Sequence, residues 1–196
     1  MKAAVCYGRH EIRIEAIGDL APPGAGELLI RVSKAGICGT DSAELDHGRV
    51  LAVAPVVLGH EFTGEVVDLG AGVAGLAASG RIVSGAGISC GICEWCLSGR
   101  TNLCEIDRTL GLHVNGGLAE DVRSPARICH KVGSGLDDVS AALAQRMAVA
   151  IHALRRAKTH KGGSSWRKEE LRGRYLSICC RNPNGAGACS KNMEER

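Results

Sequence analysis

The stretch Ser89-Cys90-Gly91-Ile92-Cys93-Glu94-Trp95-Cys96-Leu97-Ser98-Gly99-Arg100-Thr101-Asn102-Leu103-Cys104 holds four cysteines in the pattern C-x2-C-x2-C-x7-C. Thiolates this close in sequence wrap a cation that prefers tetrahedral sulfur ligation, and the longer return brings in the fourth. Gly91 relaxes the turn between the first two. A disulfide fits poorly, because so short a spacing strains the bridge and nothing at the start of the chain looks secretory. The run reads as a closed tetrathiolate zinc lobe over about residues 86–108. Four thiolates leave no open position for a substrate, so any chemistry lies outside this lobe.

Outward from the lobe, short apolar or alternating runs at residues 3–7, 27–33, 61–67, 81–83 and 118–122 predict strands. Pro22-Pro23-Gly24-Ala25-Gly26 and Gly70-Ala71-Gly72 punctuate them. The expected fold class is mainly β (α+β), a partly open β barrel with irregular loops, a zinc lobe and C-terminal helices. Asp137-Asp138 can cap a helix, and Leu143, Met147, Ile151 and Leu154 form one amphipathic stripe behind that cap.

Two further motifs lie upstream. Gly36-Ile37-Cys38-Gly39-Thr40-Asp41 is followed by Leu58-Gly59-His60-Glu61-Phe62-Thr63-Gly64. Cys38 and His60 pair a soft thiolate with an imidazole, the ligand mix of a catalytic zinc that keeps one position open. With these stretches and the cysteine lobe in this order, residues 1 to about 158 resemble the zinc-dependent alcohol dehydrogenases of the medium-chain dehydrogenase/reductase family. The butanediol, sorbitol and threonine dehydrogenase branch is the most similar. The resemblance implies a GroES-like catalytic domain over 1–158 and an oxidoreductase in which zinc polarises a secondary alcohol or polyol for hydride transfer to NAD(P). It also implies catalytic roles for four residues. Thr40 starts a proton relay, Asp41 orients the ligating His60, Glu61 sits near the metal with Cys38 and His60, and His47 borders the substrate cleft.

Two departures qualify that expectation. Where the branch has a Glu-Pro-Leu-Ala-Val segment, this chain reads Gln145-Arg146-Met147-Ala148-Val149. An amide is a poorer zinc ligand than a carboxylate and Arg146 brings a cation, so the second site is expected to hold zinc weakly, with Glu61 as the available substitute. Beyond Lys161 neither a Val-rich strand nor a G-x-G-x-x-G turn opens a dinucleotide fold, and Gly185-Ala186-Gly187 follows Asn182-Pro183-Asn184 rather than a strand. The expected protein is thus a truncated dehydrogenase without its nucleotide-binding Rossmann domain, inactive alone. A non-catalytic zinc-binding module is the alternative.

Charge changes at the same point. From Arg155 onward eleven Lys and Arg face four Glu, net +7, whereas residues 1–154 hold thirteen against seventeen, net −4. Residues 159–196 read as an atypical basic tail without a core, expected to be disordered, and nucleic-acid binding is not expected of it. Without a nucleotide domain, self-association or a partner chain over the stripe is expected. Ten cysteines without a leader, and no run of 18 apolar residues, point to a cytoplasmic protein with no membrane insertion.

Overall fold

The computed structural model describes residues 1–48 and 51–157; the expectations for the tail at 159–196 lie outside the described residues. In chain order the elements are β1 (Lys2–Gly8), β2 (Glu11–Ala16), β3 (Glu27–Gly36), α1 (Gly39–His47), β4 (Val56–Val57), β5 (Glu61–Leu69), β6 (Arg81–Ser84) and β7 (Gly87–Ile88). They continue with α2 (Glu94–Leu97), β8 (Arg108–Thr109), β9 (Asp121–Pro125), β10 (Cys129–Lys131), α3 (Asp138–Ala142) and α4 (Ala144–Arg156). Residues Met1–Arg146 form one compact unit, and a second begins at Met147 within α4.

A five-stranded sheet in the order β10-β6-β5-β3-β9 forms the centre, beside a three-stranded sheet β2-β1-β4 and the small ribbon β7-β8. Every pairing between these strands is antiparallel. Alternation along β3 sends Leu28 and Ile30 inward and Arg31 outward. Those two inward residues pack with Phe62, Val66, Ile82, Leu110 and Val122 in the main core, all at most 2% exposed. The mainly β architecture with a few helices read from the sequence is the one observed.

Two local expectations change, and one element was not expected at all. The strand expected at 118–122 starts instead at Asp121, because Leu118 takes its hydrogen bonds from a different neighbourhood. Its N–H donates to the Leu58 carbonyl and its carbonyl accepts from Ala4 N–H, so this segment stitches β1 to the approach of β5. The Asp137-Asp138 cap and the stripe from Leu143 to Leu154, read as one helix, fall on two of the expected C-terminal helices. Asp137 caps α3 by accepting from Ser140 N–H at 2.9 Å, and the chain breaks at Leu143 before α4. The unexpected element is α1, which no apolar stripe announces: its buried residues are Asp41 and Glu44.

The register of β3 against β5 brings two distant motifs together. Gly36, the last residue of β3, faces Glu61, the first of β5. The residues just past the one and just before the other, Cys38 and His60, therefore lie side by side. α3 is tied to the same sheet: Asp138 accepts from Ser33 Oγ and, at 3.0 Å, from Arg81 Nε. Those bonds hold its carboxyl below the usual carboxylate range and anchor α3, the helix that precedes α4.

Gly59 sets the backbone immediately before His60. Its φ is +95°, and a Cβ there would lie 2.6 Å from Leu118 Cγ and 2.7 Å from Leu118 N. Gly59→Ala is expected to cost at least about 2 kcal/mol, from backbone strain plus overpacking. Urea unfolding checks this, and a loss below about 0.5 kcal/mol would show that the segment yields freely.

Candidate metal centres

The cysteine lobe is built from backbone outward. Gly91 adopts φ +78°, which turns the chain so that Ile92 N–H and Cys93 N–H both point at Cys90 Sγ, at 3.4 and 3.3 Å. Cys90 N–H in turn donates to Cys104 Sγ at 3.2 Å. The Sγ atoms of Cys90, Cys93, Cys96 and Cys104 lie within 4.8 Å of one another, and all four cysteines are free. A zinc–sulfur bond of about 2.3 Å makes the edge of a sulfur tetrahedron about 3.8 Å. Cys90 Sγ and Cys96 Sγ are 3.8 Å apart, so the donor set fits a zinc ion and is far from the roughly 2.05 Å of a disulfide. The two amide donors lower the Cys90 thiol to about 6, and burial pushes Cys96 up to about 11.

The second cluster joins Cys38, His60 and Glu61, with one donor atom from each also within 4.8 Å. Cys38 precedes α1, and Asp41 in its first turn reaches back with Oδ2 to accept from Cys38 N–H at 2.8 Å, half of a capping box. Asp41 Oδ1 accepts from Gly59 N–H at 3.3 Å and lies 3.8 Å from His60 Nδ1. One carboxylate thus spans both ligand-bearing segments. Asp41, His60 and Glu61 are each 5% exposed or less. His60 Nδ1 is buried without a hydrogen-bond partner, facing the Asp41 carboxylate, which leaves Nε2 for a metal. One thiolate, one imidazole and one carboxylate fit zinc with a position to spare. Glu61 is already engaged, however: Arg146 Nε donates to its Oε2 at 2.6 Å, and Arg146 Nη2 donates to the Ile37 carbonyl.

Thr40 Oγ1 stands 3.7 Å from Cys38 Sγ, beside the cluster. His47 does not join it; it is the exposed last residue of α1. Gln145 has a buried side-chain oxygen without a hydrogen-bond partner. Sequence reasoning missed Glu44, which is 1% exposed and accepts from Leu51 N–H at 2.6 Å, anchoring the loop that leads toward His60. Its place three residues after Asp41, on one helix face, was the available signal.

With this geometry, a family profile described as Alcohol dehydrogenase GroES-like domain matches residues 24–134. The chain belongs to that family. Its GroES-like domain is 38% identical over 141 residues to a sorbitol dehydrogenase of Halalkalibacterium halodurans, covering 71% of this chain and 41% of the relative. It is also 38% identical over 163 residues to L-galactonate-5-dehydrogenase of Escherichia coli K12, covering 83% and 47%. Among solved structures, 2R,3R-butanediol dehydrogenase from Bacillus subtilis superposes with a TM-score of 0.72 at 32% identity, over 79% of this chain and 46% of that one. The chain thus spans less than half the length of these relatives. Among the described residues no helix is long and apolar enough to cross a membrane.

Zinc bound by the GroES-like domain is expected to leave the lobe in Cys96→Ser, measured as metal content after dialysis. Cys96 holds its proton at neutral pH and must release it to bind. Apparent zinc affinity is therefore expected to rise with pH, about tenfold per unit for each proton expelled. An affinity that is flat between about pH 6 and 8 would contradict the assigned donors.

Proposed function

We propose that this chain is the zinc- and alcohol-binding part of an NAD(P)-dependent alcohol or polyol dehydrogenase, with Cys38, His60 and Glu61 as its reactive centre. The observation that carries the reading is the donor cluster itself, a thiolate, an imidazole and a carboxylate gathered within 4.8 Å at a strand end. Zinc held there supplies a Lewis acid that lowers the pKa of an alcohol hydroxyl toward neutrality. The chain's own residues do the rest. Asp41 fixes the His60 ring and the Cys38 backbone together, a positioning role exercised through its two oxygens. Thr40, with its hydroxyl beside Cys38, takes up the proton that the alcohol loses as it releases its own proton outward to solvent. His47, exposed at the end of α1, borders the route by which substrate and proton exchange with solvent. Cys90, Cys93, Cys96 and Cys104 hold a second, structural zinc that keeps the lobe folded.

Hydride transfer requires a nicotinamide within about 3.5 Å of the alcohol carbon. The described strands pair antiparallel, so a doubly wound cofactor fold has to come from polypeptide beyond them. The Arg146–Glu61 ion pair favours a second reading, a zinc-binding module without turnover.

The two readings separate when the chain is joined to the nucleotide-binding part of a sorbitol dehydrogenase relative and given NAD or NADP with a panel of secondary alcohols and polyols. Oxidation is expected, with Thr40→Val slowing it by about 100-fold and leaving zinc content unchanged. Turnover that Thr40→Val and Cys38→Ser leave intact, or no turnover with any alcohol, would remove the dehydrogenase reading.

A further inference from the structure

Arg146 sits where the two ligand-bearing segments of the reactive centre meet. It donates through Nε to Glu61 Oε2 and through Nη2 to the Ile37 carbonyl, one residue ahead of Cys38. We infer that Arg146 is a built-in cation holding the charge position of a metal at Cys38, His60 and Glu61, so that loading this centre requires the Arg146–Glu61 pair to open. The inference rests on the reading of those three residues as a metal centre.

Burial gives Arg146 its role whenever no ion is bound. Asp41 and Glu61 are both 3% exposed, and a buried carboxylate without a countercharge is strongly disfavoured. A guanidinium on Glu61 meets that need without a metal, and its planar fork also pins the peptide before Cys38. The donors can therefore stay gathered before any ion arrives.

Charge sets Arg146 against the metal. A carboxylate has lone pairs enough for both a guanidinium and an ion, so geometry alone does not force a choice. A divalent cation bonded to Glu61, though, would lie within about 5 Å of the guanidinium, where burial weakens screening of the repulsion. Gln145, next to Arg146, contributes no negative charge to offset it. The Arg146 side chain is 29% exposed, against 3% for Glu61, so of the two it is Arg146 that has a path to solvent. The centre is then metal-optional, and Arg146 is the positioning residue that sets its affinity. The lobe at Cys90, Cys93, Cys96 and Cys104 shares no donor with this centre and is independent of this control.

The test is a titration of the full, zinc-loaded chain with cobalt(II), read by thiolate-to-cobalt absorption. Arg146→Met is expected to tighten cobalt binding by at least about tenfold over the parent, the scale of changes next to a metal's ligands. The new band is expected to vanish in Arg146→Met/Cys38→Ser, which distinguishes this centre from exchange into the cysteine lobe. Should Arg146→Met fail to fold, Arg146→Gln keeps a donor toward Glu61 without the charge and carries the same comparison. Equal affinities in parent and variant, with a Cys38-dependent band in both, would overturn the role of Arg146 and leave the metal centre standing. A band that never depends on Cys38 would overturn both.

Discussion

Gly36 at the end of β3 pairs with Glu61 at the start of β5, and the candidate centre depends on that rung. Antiparallel pairing brings the end of one strand to the beginning of the other, so residues far apart in sequence become neighbours without a dedicated loop. The rung is also tight. A Cβ on Gly36 would lie 3.0 Å from Glu61 Oε2, so a glycine gives the carboxylate room to turn toward Cys38. A one-residue slip in this ladder would send Glu61 to the opposite face and dissolve the cluster. The main core under the sheet, from Leu28 through Ile82, is what holds the register.

The same neighbourhood concentrates buried charge, which a fold tolerates only with partners. Asp41 meets the condition by accepting from Cys38 N–H and Gly59 N–H, and Glu44 by accepting from Leu51 N–H. Glu61 meets it through Arg146. These carboxylates do not explain stability; replacing such groups with apolar ones is often neutral or better for a fold. Their retention in the interior makes sense as positioning. Each fixes backbone or side-chain geometry around Cys38 and His60.

Much of this was legible in the sequence, for definable reasons. Cysteine spacing is a covalent constraint that tertiary context cannot override, so the lobe at 90–104 was readable directly. The strands of the central sheet carry period-two burial, seen in Leu28 and Ile30, and that too survives in the sequence. Helix α1 was not legible, because its inward face is Asp41 and Glu44 and hydrophobic periodicity has nothing to register. β2 is an edge strand with no residue fully buried, and it owes its form to pairing with β1. The break at Leu143 has no glycine or proline to announce it; nothing in the local sequence accounts for it.

Arg146 shows where motif reading stops. The sequence put a cation beside the expected third ligand, but not the atoms it touches. Those depend on α3, which Asp138 ties to β3 and β6 through Ser33 and Arg81, and on the break after it that sets the first turn of α4. A helix residue's reach is fixed by where the helix starts, since one residue of shift rotates a side chain by about 100° around the axis. The contact between Arg146 and Glu61 is thus a consequence of how α3 is anchored upstream at Asp138. The two candidate metal centres differ for the same reason. The cysteine lobe is organised by its own short loop, while the second centre takes its charge balance from elements brought together by the sheet.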